Sequence, residues 1–160
     1  MTTKQYDILL DNKKIGTTEL EKADAPMGVV FGKVMFDKIV SGYDFFINYC
    51  LNNDIKIITD YPDDQFIATA DIPNLKVINP NGIEIKGQGT NIEGMDSDIF
   101  EVTILGISYP FFENEFPHHV KAYKRPIQRQ RMIDEKKRLY IKPKKKHFTL
   151  FGVGSAAAKN

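Results

Sequence analysis

The sequence predicts an α+β fold: a mainly antiparallel sheet of seven or eight strands packed by one long helix and a kinked second helix. Three observations predict it. Apolar residues recur at helical spacing from Phe36 to Leu51, through Ile39, Val40, Tyr43, Phe46, Ile47 and Cys50. On either side of that stretch, short runs alternate with a period of two between Asn, Asp, Pro and Gly punctuation. From Tyr109 to Tyr123 the helical spacing returns, through Phe112, Phe116 and Val120, with Pro117 inside it. Burying the seven or eight side chains of the first stripe is worth roughly 10–20 kcal/mol gross, most of it offset by chain entropy. One helix cannot cover its own stripe, so strands before and after it must supply the opposing surface.

In chain order, Lys4–Leu10 and Lys14–Leu20 read as a hairpin about the turn residues Asp11-Asn12-Lys13. Residues 21–28, with Pro26 and Gly28, read as a loop leading into a short strand at Val29–Val34. Past the long helix, Ile55–Thr59 and Gln65–Ala70 pair across Tyr61-Pro62-Asp63-Asp64. Leu75–Ile78 and Ile83–Lys86 pair across Asn79-Pro80-Asn81-Gly82, where Pro suits the first corner and Gly a positive φ. Gly87-Gln88-Gly89 marks a bulge or loop, and Asp98–Ile107 a further strand. Pro117 predicts a kink or two short helices in series, and Ile127–Arg138 extends them as a polar helix. Leu139–Ile141 and Phe148–Phe151 are short β-like runs, and Gly152–Asn160 is a tail that frays. A single α+β domain over residues 1–125 and a basic C-terminal extension over 126–160 describe the organisation.

Charge is sorted along the chain. Residues 1–120 carry 19 acidic and 9 basic side chains, a balance of −10, while 121–147 carry 2 acidic and 12 basic, a balance of +10. That segregation hides in a formal net charge of +1. Hydrophobic content of 42% and charged content of 27% place the chain among globular proteins. The single cysteine, Cys50, excludes an intramolecular disulfide and a multi-cysteine zinc site, and its place on the apolar stripe makes it an inert thiol. Met1–Gln5 is not followed by the apolar run of a signal peptide, and no segment is apolar for the length of a membrane span. A cytoplasmic protein without membrane contact is expected.

Chemistry-bearing residues are few. His118 and His119 follow Glu115 and Pro117. On a regular helix Glu115 and His119 share a face, whereas adjacent histidines diverge by about 100° and cannot both ligate one ion. Acid–base or metal work by His118, His119 and Glu115 is weighed against a plainer reading. In that reading one ring packs on Phe116 or Tyr123 and bonds a carbonyl while the other is exposed. Asp24–Gly32 lacks the Gly-Lys-Ser/Thr of a phosphate loop and the helix a dinucleotide fingerprint requires. It reads as a close backbone crossing, or as a pocket wall with Met27 as its soft side chain. Asp60, Asp63, Asp64, Asp96 and Asp98 miss the spacing of a calcium loop and read as exposed acidic turns. No Gly-x-Ser-x-Gly elbow is present, and neither a cofactor nor a metal is expected. Lys142, Lys144, Lys145 and Lys146, with Tyr123, Tyr140 and Phe148 about them, have the composition that binds phosphate backbones and stacks on bases, a reading weighed against docking of the basic segment on the acidic body, in cis or in a dimer, and against a solvated tail.

Asp24–Gly32, Leu105-Gly106-Ile107-Ser108-Tyr109-Pro110 and Phe116-Pro117-His118-His119-Val120 together resemble an uncharacterised family of small bacterial proteins. That family shares a Pro-Met-Gly-Val-x-Phe-Gly stretch and a late Phe-Pro-His-His. The resemblance spans roughly residues 4–123. It transfers no catalytic or binding residue, and implies that the body ends near Tyr123 with the basic segment as an extension. The expected function is binding without catalysis, through the acidic body and the basic extension, with a protein partner or a second copy. The alternatives are an enzyme dependent on His118 or His119, with or without a metal, and an accessory nucleic-acid binder acting through Lys142–Lys146.

Overall fold

A computed structural model describes residues 3–140. Among these residues the class is α+β, as the sequence predicts, but the strands number ten and form two antiparallel sheets where seven or eight in one sheet were expected. In chain order they are β1 (Tyr6–Leu10), β2 (Lys13–Thr18), β3 (Lys22–Asp24), β4 (Val29–Lys33), β5 (Met35–Phe36), β6 (Ile57–Tyr61), β7 (Phe66–Thr69), β8 (Leu75–Ile78), β9 (Gly89–Met95) and β10 (Phe100–Leu105). The first sheet has the order β5-β2-β1-β8 and the second β3-β4-β10-β9-β7-β6. The helices are α1 (Gly42–Asn52), α2 (Phe111–Glu115) and α3 (Pro117–Tyr140). Two compact units divide the chain, Met1–Lys124 and Arg125–Asn160. No described helix is long and apolar enough to cross a membrane.

The β1–β2 hairpin pairs Leu10 with Lys13 and Tyr6 with Thr18. Asp11 and Asn12 both take positive φ, 49° and 63°, which is the tight-turn chemistry their identities suggest. β1 lies inside the first sheet, and its Tyr6, Ile8 and Leu10 point into the core. The second sheet packs its Val30, Val102, Ile104, Ile92 and Ile67 against α1 and the rest of the same core.

The long helix is shorter than its stripe. It begins at Gly42 because Ser41 turns the chain: its Oγ accepts from the Asp44 amide at 3.0 Å. The Asp96 carboxylate adds to that cap, accepting from the Tyr43 amide at 3.0 Å and from the Ser41 hydroxyl. Phe36 is therefore a β5 residue, Val40 is fully exposed and Leu51 is exposed, while Tyr43, Phe46 and Cys50 form the buried face. Phe36 still reaches the core, edge-on to Phe100 with ring centroids 5.4 Å apart.

Three further corrections concern strands. Lys22–Asp24, expected in a loop, pairs with β4 as β3. Ile83–Lys86 is not a strand; it keeps a single bridge, Glu84 to Ile78, while Asn79 Oδ1 holds the turn by accepting from the Asn81 and Ile83 amides. β9 begins at Gly89, the last residue of the expected bulge or loop, and runs through a stretch for which no strand was expected, because Gly89, Asn91 and Gly94 dilute its pattern. Gly94 is needed there: a Cβ would stand 2.3 Å from the Ile99 carbonyl oxygen and 2.8 Å from the Phe100 ring.

Pro117 separates two helices in series, as expected, and is the first residue of α3. Phe112, Phe116 and Val120 are buried on that side. The second helix is not short: the polar stretch continues it through Pro126 to Tyr140, so Leu139 and Tyr140 are helical rather than β-like. Ile141, Phe148–Phe151 and the tail from Gly152 lie outside the described residues.

Candidate functional site

The Asp24–Gly32 stretch, Ile107–Tyr109 and the Phe116–Val120 turn are far apart in sequence and meet in the fold. Ala25-Pro26-Met27 is a single 3-10 turn closed by Gly28, whose φ of 63° places it in the left-handed region. A side chain there would also drive a Cβ to 2.3 Å from the Ile107 carbonyl oxygen. The Ile107 amide donates to the Gly28 carbonyl at 2.8 Å, and the Tyr109 hydroxyl donates to the Ala25 carbonyl at 2.8 Å. This turn is thus a backbone crossing pinned from both ends.

His119 reaches the same region from α3. Its Nε2 lies 2.8 Å from the Leu20 carbonyl oxygen, so that nitrogen carries the proton and donates. Its ring lies 5.9 Å from that of Phe116. His118 is exposed, its ring 4.1 Å from that of His119. Burial, then His119, then Lys4 push the His118 pKa below its ordinary value.

Glu115 is engaged by groups other than the two imidazoles. Its carboxylate accepts from the Tyr6 hydroxyl at 3.1 Å, from Asn79 Nδ2 at 3.3 Å and from Lys4 Nζ. Pro117 explains the divergence, since Glu115 closes α2 and His119 lies on α3, so the shared face of one continuous helix does not exist. Burial first, and then the Glu115 charge, push the Tyr6 phenol far above its ordinary range. Glu115 therefore ties the start of β1 and the Asn79 turn to α2. Sequence spacing had no means of finding Lys4, Tyr6 and Asn79 as its partners.

Between β3 and the first turns of α3 runs a groove of about 550 Å³. Ala23, Asp24, Ala25, Pro26, Phe31, His119, Ala122 and Tyr123 line it, and Met27 stands 67% exposed outside that lining. It offers apolar walls, one carboxylate and the edge of an imidazole whose Nε2 is already engaged.

The acidic turns are partly absorbed by the fold. Asp96 caps α1, and Asp60 accepts from the Tyr43 hydroxyl at 2.6 Å, pushing that phenol up to about 12. Among the described residues no group of three His, Cys, Asp or Glu is placed to hold a metal ion. Cys50 is buried, and burial pushes its thiol up, away from the reactive thiolate.

The basic residues are the remaining candidates. Every residue from Arg125 to Leu139 is exposed, including Arg125, Arg129, Arg131, Lys136, Lys137 and Arg138. Lys142, Lys144, Lys145 and Lys146 lie outside the described residues. Comparisons of the chain with family models, with curated proteins and with solved structures find no match to it.

Proposed function

We propose that this chain works by binding, without catalysis of its own, and that the basic residues of α3 and of the segment after it engage an anionic partner. The observation that carries the reading is the exposure of all fifteen residues from Arg125 to Leu139, six of them basic and two acidic. Cations kept in water at that density are available to a partner, and an acidic surface meeting them gains steering and specificity. The imidazole chemistry expected as the alternative finds less support, because His119 is engaged by a backbone carbonyl and Glu115 by Lys4, Tyr6 and Asn79. Cytoplasmic residence belongs to the same proposal.

A second reading, self-association, draws on the −10 balance of residues 1–120, which makes a second copy of the chain an acidic partner within reach. Retention of the full chain on an immobilised polyanion such as heparin, compared with the K136E/K137E/R138E variant, tests the main reading. Elution at lower salt for the variant is expected, and unchanged elution would overturn it. Sedimentation at 50 and 500 mM salt tests the second, with dissociation at high salt as its expected result.

A further inference from the structure

We infer that the anionic partner of α3 is double-stranded DNA, with the helix lying in the major groove. The inference rests on the binding reading above and names its partner. At about 100° per residue, Arg125, Arg129 and Lys136 fall within about 40° of one another on the helix surface, and Arg131 and Arg138 form a second row roughly 150° away. The arc between the rows carries Gln128, Met132, Glu135 and Leu139. A helix about 10–12 Å across fits a major groove about 12 Å wide. Two cationic rows on opposite flanks then face the phosphates of the two strands. Gln and Glu between them are side-chain types that pair with adenine and with the cytosine amino group.

Other anionic partners fit this helix less well. A protein groove takes a helix through anchors at i, i+3, i+4 and i+7, and a lipid surface takes one apolar face. Ile127, Met132, Ile133 and Leu139 are spread around the helix and give neither. Single strands are held by stacking on aromatic rings, and the stretch of α3 that carries the two rows, residues 125–138, has none, its tyrosines Tyr123 and Tyr140 lying beyond either end. The A-form major groove of double-stranded RNA is too narrow for side chains to read.

Fluorescence anisotropy of the full chain against a labelled 20-base-pair DNA tests this, with the same sequence as duplex RNA, as single-stranded DNA, and with polyglutamate and anionic vesicles as competitors. Five phosphate contacts predict that affinity falls about 10²–10³-fold between 50 and 200 mM salt. The pairs R129E/K136E and R131E/R138E should each weaken binding at least tenfold. K137Q, on the far arc, should weaken it less than threefold. All five side chains are exposed, and thermal melts of the variants check that the body stays folded. Equal binding to single strands or to duplex RNA would overturn the groove assignment. Binding to polyglutamate, to vesicles or to itself without binding to DNA would overturn this inference and leave the binding reading standing. Salt-sensitive binding to none of them would end both.

Discussion

Protonating His118 sets a positive charge beside the His119 ring and the Lys4 ammonium in a partly desolvated place. The folded chain therefore binds a proton there less readily than the unfolded chain, whose imidazole titrates near 6.5. A depressed base pKa means that stability rises with pH up to about 6.5 and is lost as pH falls through the window below it. In urea titrations at pH 5 and 7.5 the His118→Asn variant should lose less stability on acidification than the unsubstituted chain. An equal loss in both would remove His118 as the cause. Glu115 makes a second residue-scale prediction. Removing its carboxylate leaves the Tyr6 hydroxyl, 1% exposed as a residue, without its acceptor and strands Lys4 and Asn79. Glu115→Ala should cost about 1–3 kcal/mol in a denaturant midpoint measured at constant slope. An unchanged midpoint would remove this network as a support of the fold.

What sequence could see at the scale of elements depended on whether side chains or backbone decided the outcome. The β1–β2 hairpin was legible because Asp11 and Asn12 both favour the turn and flank alternating runs. The α1 stripe was legible, but not its first turn, since Phe36 and Ile39 are apolar for reasons of sheet and loop packing while the Ser41 cap sets the helix start. β9 was invisible because what qualifies Gly94 for a central strand is the nearness of Phe100, a fact of the fold. The His119 partner, a Leu20 carbonyl 99 residues away, was invisible for the same reason, although the kind of partner was foreseen. Pro126 offers a test within α3. It sits inside the helix, where it has no amide to donate to the Ala122 carbonyl and its ring crowds that turn. Pro126→Ala should raise the helical circular-dichroism signal, by relief of up to about 3 kcal/mol of local cost. No change in signal would mean the helix already tolerates the break.

For the molecule as a whole, burial and charge divide at nearly the same place. The hydrophobic core runs from Tyr6 to Val120, and no residue from Lys121 to Leu139 is buried. Hydrophobic stabilisation therefore resides in the first unit, while beyond it lie 11 of the 22 basic side chains and only 2 of the 21 acidic ones. A chain ending at Lys124 carries 19 acidic and 11 basic side chains, a balance of −8 in place of +1. It should keep cooperative thermal unfolding with a midpoint within a few degrees of the full chain, because no buried apolar area is lost with the described part of α3. It should also bind an anion exchanger at pH 7, where the full chain does not, and fail to bind the polyanion that retains the full chain. A midpoint lowered by ten degrees or more would mean that the residues after Lys124 are part of what holds the body together. The acidic body and the basic segment would then have to be understood as one folded object, with the cations serving structure before any partner.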